Sequence, residues 1–515
     1  MGRMANFNFW MVLFCCSVIG LLIHRFIPET VTLSSRVFRW IFGILLSFFM
    51  GSYGTLSWVR FYQLRCSRID IGAFTAIQES LFVGDPAPFV TFGTSHFSIH
   101  VSPTLVLLHP FYRLFPFPET LLLLQVLFQG LAVFPLYFLA KKRLPDSSWP
   151  WILSFLYLLH PLHSNILLFD FHEITLFPFF FFSFLFFAEK RCGVKAFFCF
   201  ILTLGIQETL SLSLFFFCLW WWRAQLKSSA PWIFIGLSLV WFLLVFLIIM
   251  PYFGGIALIE RYSGLGATPI EIIQNLILHP SLGIERLWSF QKLQTILMLV
   301  FPLALLPCLS IHLVIVGVPL LIHLLSSLPD QALLRWHYSG FVLPFLMIAS
   351  LMGLETQQSK KLTPLKNNKR LWASLSIGIL CNIFFTIPFS ESYFKDLPQV
   401  RYRLKHHLRW FSFSLSTEEY EISEDWKVLL TLKASVPLEA SIGIQNNVGG
   451  WFGEYPKAYA LGTVDCDFYL IHPMSEDHYD GTSYPQFIQQ LSTIEFQKKY
   501  RCVFSDERFF LFQKR

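Results

Sequence analysis

Three ionisable side chains lie close together between two apolar runs of the sequence. Asp170, His172 and Glu173 fall within the segment Phe169–Glu173, and the runs on both sides of it are nearly free of charge. A carboxylate or an imidazole near hydrocarbon costs several kcal/mol unless it is paired, binds an ion or faces water. The segment is therefore a candidate site for acid–base chemistry or for a divalent metal ion.

Helix capping is the alternative explanation of this segment. Asp170 could cap the N-terminus of a helix that starts at residue 174, with Glu173 as its capping-box partner. Local capping explains two of the three residues, but it gives no role to His172. Both interpretations stay open at the level of the sequence.

A further carboxylate, Asp70, lies in the first long loop, two residues after Arg68. Held near a membrane surface, Asp70 could act as a general base on an acceptor hydroxyl, or help to hold a metal ion. A solvated carboxylate paired with Arg68 is the alternative. The metal is left unidentified, and its candidate ligands are Asp70, Asp170, His172 and Glu173.

Two histidines, His96 and His100, are spaced four residues apart, which places both rings on one face if the segment is helical. Such a pair can bind zinc. However, Ser102 and Pro103 argue against a long helix, and structural roles for histidine pairs are more common. His96 is kept as a candidate substrate-binding residue.

The remaining polar candidates lie within or beside apolar runs. Glu208 stands near the middle of one run, and Arg335, His337 and Tyr338 precede another. An arginine and a histidine at a membrane boundary suit a phosphate or pyrophosphate head group. Snorkelling of Arg335 and an interfacial aromatic belt that includes Tyr338 are the ordinary alternatives. The candidate substrate-binding residues are thus Arg68, His96, Glu208, Arg335, His337 and Tyr338.

The composition indicates that membrane helices position these residues. The chain is 55% hydrophobic and only 14% charged, which excludes a soluble globular domain of this length. Basic residues cluster at the ends of apolar runs, which is typical of topology signals and argues against nucleic acid as a partner. The sequence carries neither G-x-x-x-x-G-K-[ST] nor G-x-G-x-x-G, so soluble nucleotides are not expected as substrates.

Residues 1–389 are predicted to form a multi-spanning domain of about ten to twelve segments, some of them short or broken. Basic clusters, taken as cytoplasmic, leave large outward loops at 59–118 and 251–292. The apolar runs lie near 8–25, 38–58, 119–140, 149–168, 174–188, 197–222, 230–250, 293–307, 310–326, 336–354 and 371–389.

The run 197–222 has basic residues at both ends, so a single crossing would break the alternation of sides. We predict two short half-helices that meet at Gln207 and Glu208. Broken elements of this kind occur where protein buries them or where they line a cavity. One long helix with a buried Glu208 is the alternative.

Residues 390–515 are predicted to form a small soluble α/β domain, because they carry 31 of the 71 charged residues. Ser423–Leu432 has helical spacing, Ala440–Ile444 and Phe468–Ile471 have strand patterns, and Tyr484–Leu491 is predicted to be helical. A terminal hairpin is expected from Cys502–Phe504 and Phe509–Phe512. A disulfide between Cys466 and Cys502 and a pair of free thiols are equally compatible with the sequence.

Several motifs in this order resemble a family of uncharacterised bacterial polytopic membrane proteins, defined by a domain of unknown function. The resemblance covers roughly residues 50–470. It is carried by Arg68–Phe74, His96-Phe-Ser98, Pro110–Pro116, Phe169–Glu173, Glu208, Arg261-Tyr-Ser-Gly-Leu-Gly266 and His337-Tyr338. The family in turn is distantly similar to the GT-C glycosyltransferases.

This resemblance implies a sugar donor on a polyprenyl phosphate and an essential carboxylate in the first outward loop, which would be Asp70. Where family members tend to carry Lys-Glu-Asp, this chain has Gln207-Glu208-Thr209, which leaves Glu208 as the functional residue there. Membrane lipid, a lipid-linked donor and an envelope acceptor are the expected partners, with the tail helping to bind the acceptor.

The leading hypothesis is therefore a glycosyltransferase-like enzyme of the cytoplasmic membrane that works on the outer face, with an extracytoplasmic tail. In it, the Phe169–Glu173 cluster orients the acceptor or binds a metal ion, and Arg335 or His337 holds the lipid phosphate. A transporter or flippase of a lipid-linked or anionic substrate is one alternative. A non-catalytic envelope assembly protein is the other.

Overall fold

The computed structural model describes residues 35–359 apart from 65, 86–94, 146 and 226–229, then 376–378 and 380, and 422–515 apart from 462–463, 473–488, 490, 492 and 507. The predicted run at 8–25 and most of those at 371–389 and Tyr484–Leu491 lie outside the described residues.

The described chain up to residue 359 is helical, as the composition predicts. The longer α-helices are Ser35–Tyr62, Pro118–Leu131, Val133–Arg143, Trp149–Leu158, Phe177–Glu189, Gly193–Leu204, Leu210–Gln225, Ala230–Leu244, Pro269–Leu278, Phe290–Val300 and Leu343–Ser359. The shorter ones are Ala73–Ser80, His96–Ile99, His109–Leu114, Leu162–Leu167, Met250–Tyr252, Pro280–Leu287, Gly317–Leu324 and Pro329–Ala332.

Short segments of other helix types also occur along the described chain. The 3₁₀ turns are Leu81–Val83, Pro103–Leu108, Glu173–Leu176, Ile259–Tyr262, Leu306–Leu309, Ile311–Val316, Trp336–Phe341 and Asn446–Phe452. The π-helical turns are Arg68–Gly72 and Val245–Ile249.

Long membrane-spanning helices are few in the part of the chain that is described. Three helices are long and apolar enough to cross a membrane: Ser35–Tyr62, Pro118–Arg143 and Pro231–Tyr252. A fourth span results if Pro329–Phe341 and Leu343–Ser359, bent by 69°, count as one. The other apolar helices are shorter. Proline in the first turn of several helices favours such breaks, because it lacks the amide hydrogen that a continuing helix needs.

The predicted break in 197–222 is confirmed. One helix ends at Leu204 and the next begins at Leu210, with Gln207 and Glu208 between them. Gly205 lets this break pack closely against a neighbouring turn, because a Cβ there would lie 2.6 Å from the Thr104 hydroxyl. The Gly205 carbonyl also accepts a hydrogen bond from the Thr104 amide at 2.9 Å.

The tail domain, residues 422–515, combines helices with a five-stranded sheet of order β2-β1-β3-β5-β4. Its helices are Asp425–Ala434 and Ile494–Lys499, and its strands are β1 Ile442–Ile444, β2 Ala458–Ala460, β3 Phe468–Ile471, β4 Tyr500–Ser505 and β5 Phe510–Lys514. Strand β1 pairs in parallel with β2 and β3, whereas β5 is antiparallel to β3 and β4. The predicted α/β class and terminal hairpin are confirmed, and β2 was not predicted.

The two tail cysteines are free thiols in the structure, so the disulfide alternative is not realised there. Cys466 is buried just before β3, and Cys502 is exposed on β4. Strand β5 separates β3 from β4, which puts roughly two strand spacings, about 9 Å, between them. Disulfide geometry needs Cα atoms within about 7 Å.

Candidate functional site

The Asp70 turn, the π-helical segment Arg68–Gly72, follows closely on the Ser35–Tyr62 helix. The Ser67 hydroxyl caps it by accepting a hydrogen bond from the Ile69 amide at 3.1 Å. The wider π-helical closure joins the Gly72 amide to the Ser67 carbonyl at 3.0 Å. Turns of this type are rare and are found frequently at functional sites.

Asp70 forms a buried pair with His172. Its Oδ1 lies 3.2 Å from Nε2 of His172, and the two side chains are 15% and 7% exposed. The His172 ring stacks on the ring of His337, with centroids 3.5 Å apart and planes 10° from parallel. Phe74 packs its edge against His172 at 5.3 Å. Asp70 is thus enclosed in the protein, in contrast to the solvated-loop alternative.

Aromatic packing around Phe169 also holds the stacked rings of His172 and His337. Phe169 stacks on Trp336 with ring centroids 5.0 Å apart, and it also contacts His172 and His337. Trp336 has a φ of +52°, a left-handed conformation that is strained for a bulky residue. Outside the pair, Nδ1 of His172 and Nδ1 of His337 have no hydrogen-bond partner among the described residues. Both imidazoles therefore have a nitrogen available to a ligand.

The local capping interpretation of Asp170 is wrong. The 3₁₀ turn Glu173–Leu176 begins after His172 without any side-chain cap. The Asp170 carboxylate instead accepts a hydrogen bond from the amide of Ser67, at the start of the Asp70 turn. Burial, and then the charge of Asp70, raise the pKa of Asp170. Asp170 therefore positions the Asp70 turn across a separation of 103 residues.

Glu173 is buried with its charge uncompensated by hydrogen bonds. The residue is 1% exposed, and neither carboxylate oxygen has a hydrogen-bond partner in another residue of the described chain. Burial raises the pKa of Glu173, which the nearby His100 and His172 oppose. An unpartnered buried carboxylate requires explanation, and a ligand that donates hydrogen bonds would supply one.

Replacing Glu173 by Gln is expected to raise the thermal midpoint of the full chain by about 1 to 3 °C well above pH 4.5, the ordinary pKa of the group, because an unpaired buried polar group costs about 1–3 kcal/mol and a chain of this length shifts by roughly 1 °C per kcal/mol. Because the folded-state pKa is raised, the wild type is most stable below that value and loses stability as the pH rises through the folded pKa. The glutamine mimics the protonated form and avoids this loss. Midpoints that differ equally at acid and alkaline pH would contradict the assignment.

Glu208, at the helix break, binds the segment that follows His96. One of its oxygens lies 3.1 Å from Nδ1 of His100, and the other accepts from the Val101 amide at 3.1 Å. Burial lowers the pKa of His100, but Glu208 outweighs it and leaves that pKa raised. Burial lowers the pKa of His96 to about 3. His100 and Glu208 thus form a second buried pair.

The described residues do not assemble the candidate metal ligands into a site, and they do not support the minor zinc alternative at His96 and His100. The rings of His96 and His100 lie 6.5 Å apart, and His100 is engaged by Glu208. In the parts of the chain that the structure describes, no group of three His, Cys, Asp or Glu side chains is placed to hold a metal ion. The candidate ligands Asp70, Asp170, His172 and Glu173 do not form such a group either, so we assign no step to a metal.

The structure does not leave Arg335 free for a phosphate. Its guanidinium forms an ion pair with Asp330 at 2.9 Å. Arg261 lies beside Tyr338, donating to Oε1 of Gln331 at 3.2 Å and to the hydroxyl of Tyr338 at 3.3 Å. Within the described residues, no carboxylate forms an ion pair with Arg261. Its motif was noted in the sequence, but Arg335 was the residue predicted to hold a phosphate.

Contacts therefore connect the predicted site residues into one group, from which only Arg335 is excluded. The Tyr338 hydroxyl accepts from Arg261 at 3.3 Å, and the Tyr338 ring lies 4.1 Å from that of His337, which links the guanidinium to the Asp70–His172–His337 stack. The pKa of His100 responds to Glu173 and Glu208. Arg68 lies on the Asp70 turn, and its amide binds the tail. Arg335 is the exception, through its pairing with Asp330.

The chain matches a model of a known protein family. The family model described as DUF2079, predicted membrane protein, matches residues 60–418. No curated protein matches the chain. The match includes Asp70, the Phe169–Glu173 segment, Arg261 and Tyr338, and it ends before the described part of the tail.

Two solved structures are similar to the chain at low identity. ArnT from Cupriavidus metallidurans, bound to undecaprenyl phosphate, is 10% identical with a TM-score of 0.46, over 90% of this chain and 97% of that one. An oligosaccharyltransferase from Archaeoglobus fulgidus, tethered with an acceptor peptide containing the NVT sequon, is 12% identical with a TM-score of 0.40, over 80% and 63%. Both are GT-C glycosyltransferases. At TM-scores this low, neither supports an argument about the activity of this chain.

Proposed function

The chain belongs to the DUF2079 family of predicted membrane proteins, and we propose that it is an integral membrane glycosyltransferase. In this proposal it transfers a sugar from a polyprenyl-phosphate donor to an envelope acceptor on the outer face of the cytoplasmic membrane. The observation that carries the proposal is the buried pair of Asp70 and His172, 3.2 Å apart. Such a pair suits general base catalysis, because packing holds the imidazole and the carboxylate in one geometry.

Asp70 is the proposed base. An acceptor hydroxyl would give its proton to the Asp70 carboxylate while its oxygen forms a bond to the anomeric carbon of the donor sugar. The bond from that carbon to the phosphate oxygen breaks, and the lipid phosphate leaves with the bonding electrons. His172, stacked on His337, keeps the carboxylate oriented toward the acceptor.

Arg261 is the proposed phosphate ligand, in place of Arg335. Its guanidinium is held by neutral acceptors, Gln331 and Tyr338, so its charge is available to an anion. Negative charge grows on the phosphate as the sugar leaves, and a guanidinium stabilises that charge through paired hydrogen bonds. Glu173, with two unpartnered oxygens, would accept hydrogen bonds from sugar hydroxyls.

The absence of nucleotide-binding motifs from the sequence supports a lipid-linked donor. The test uses the purified full chain in liposomes that contain synthetic polyprenyl-phosphate pentoses and hexoses. A transferase cleaves the donor and releases polyprenyl phosphate in the presence of envelope acceptors. A flippase would move the intact donor to the opposite leaflet without cleavage, and that result would reject the proposal.

A further inference from the structure

The tail domain contacts the Asp70 turn through Asn446. The side-chain oxygen of Asn446 accepts hydrogen bonds from the amides of Arg68 and Ile69, at 3.0 Å and 3.3 Å. The Ser67 hydroxyl lies 3.1 Å from the same oxygen. The first amides of a helical turn have no carbonyl partner within the turn, and the Ser67 hydroxyl caps only that of Ile69, so the Arg68 amide needs an outside acceptor. One tail oxygen supplies it, about 380 residues along the chain.

Glycines in the tail allow this close approach. A Cβ added at Gly449 would lie 2.1 Å from Cβ of Arg68, and one at Gly450 would lie 2.8 Å from Sγ of Cys66. A Cβ at Gly453 would lie 2.5 Å from Cβ of Thr75. Any larger residue would push the tail away from the Asp70 turn. The contact is therefore built for backbone-to-backbone packing.

Aromatic rings pack at the edge of the same contact between the tail and the membrane region. Trp451 stacks on Phe61 with centroids 4.5 Å apart, and Tyr62 meets Trp451 and Trp426 edge-on at 5.4 Å and 5.1 Å. Phe61 and Tyr62 end the long helix that precedes the Asp70 turn. Stacked and edge-on pairs of buried rings each contribute about 0.5–1.5 kcal/mol beyond the area they bury.

We propose that Asn446 is a positioning residue, which holds Asp70 against His172 from the tail. The tail thereby completes the site, a role distinct from the acceptor binding that the sequence suggested. Asp170 and Asn446 accept hydrogen bonds from adjacent amides, those of Ser67 and Arg68. The consequence for sugar transfer rests on the proposed function, whereas the consequence for the mobility of the turn does not.

Hydrogen exchange on the full chain in detergent tests the positioning directly. In Asn446→Ala, the amide of Arg68 is expected to exchange about tenfold faster, since its acceptor is lost, and the amide of Ile69, which keeps the Ser67 hydroxyl, is expected to exchange faster by a smaller factor. Asn446→Asp keeps an acceptor oxygen and should restore slow exchange. Amides in strands β1 and β3 report on the fold of the tail and should be unchanged in both variants. Equal exchange of the Arg68 amide in wild type and N446A would overturn the proposal.

Gly449→Ala tests the same contact without removing a hydrogen bond. The buried thiol of Cys66, which donates to the Asn447 carbonyl at 3.3 Å, is a natural reporter. Its alkylation, followed by mass spectrometry, is expected to be about tenfold faster in G449A. Gly51→Ala is the matched control, because nothing lies within 4 Å of a Cβ there. Slow alkylation of Cys66 in G449A would count against the close packing that the proposal needs.

Measuring sugar transfer as well distinguishes a failure of the positioning proposal from a failure of the proposed function. If the wild type transfers sugar, N446A should lower kcat about tenfold with little change in the KM for the donor, and N446D should restore it. If exchange rises in N446A but the wild type transfers nothing, the proposed function fails and the positioning stands. If N446A transfers at the wild-type rate, Asn446 does not position Asp70.

Discussion

Replacing Asp70 by Asn is expected to reduce sugar transfer about 10³-fold, within the range that general bases contribute. The amide has the shape of the carboxylate and can still bond to His172, but it cannot take the acceptor proton. The amount of folded protein should be unchanged, because the Asp70 turn is held by Asp170 and Asn446. The measurement is release of polyprenyl phosphate by the full chain in liposomes, with donor in excess.

Asp330→Asn is the matched control for that variant. Asp330 is also a partly buried carboxylate with a cationic partner, Arg335, but it is no part of the Asp70–His172 pair. Transfer by D330N should stay within about twofold of wild type, because a partly exposed ion pair contributes little. A loss in D330N as large as that in D70N would show a general effect of removing charge and would reject Asp70 as the base.

The second large effect is expected at Arg261. Replacing it by Met should weaken the binding of short-chain polyprenyl phosphate about ten- to a hundredfold, since a charge-assisted hydrogen bond contributes about 1.5–3 kcal/mol. The substitution keeps an extended apolar stem, so packing near Tyr338 is preserved. The dissociation constant of the purified full chain, measured by calorimetry in detergent, provides the readout.

Arg335→Met separates the two arginines. The Arg335 guanidinium is already paired with Asp330, so its removal should change the dissociation constant by no more than about twofold. The sequence favoured Arg335, and the structure favours Arg261. If R335M weakens binding more than R261M does, the phosphate subsite has been assigned to the wrong arginine.

Much of the fold follows from the sequence because burial pattern and composition are local properties. The helical membrane region, the break at Gln207 and Glu208, and the tail strands near Ile442 and Phe468 were predicted from apolar runs, basic flanks and alternation. Strand β2 was missed because Ala458–Ala460 is too short to show alternation. The closeness of tail and membrane region depends on three glycines, and sequence spacing gives no sign of it.

The candidate site residues were chosen from the sequence, but their contacts could not be predicted from it. Asp170 and Glu173 fit a capping box by spacing, yet tertiary structure sends Asp170 to the Ser67 amide instead. The pairing of Asp70 with His172 joins residues about a hundred positions apart, and only the packing of the helices brings them together. Likewise, the neutralisation of Arg335 by Asp330 depends on how one turn folds, which residue type alone does not reveal.

Transport of a lipid-linked substrate and non-catalytic assembly remain predictions with distinct outcomes. A transporter moves the intact donor between leaflets, and an assembly protein leaves it unchanged. Neither alternative gives Asp70 a role in bond cleavage. Chemistry at Asp70 therefore separates the proposed function from both.

The most direct measurement is therefore the chemical fate of the donor with wild type and D70N side by side. Both proteins are reconstituted as full chains at equal density in liposomes with the same set of polyprenyl-phosphate sugars and an envelope extract as acceptor. We expect the wild type to release polyprenyl phosphate and to form glycosylated acceptor, and D70N to do so about 10³-fold more slowly. Equal product formation by the two proteins, or intact donor with both, would contradict the proposed function.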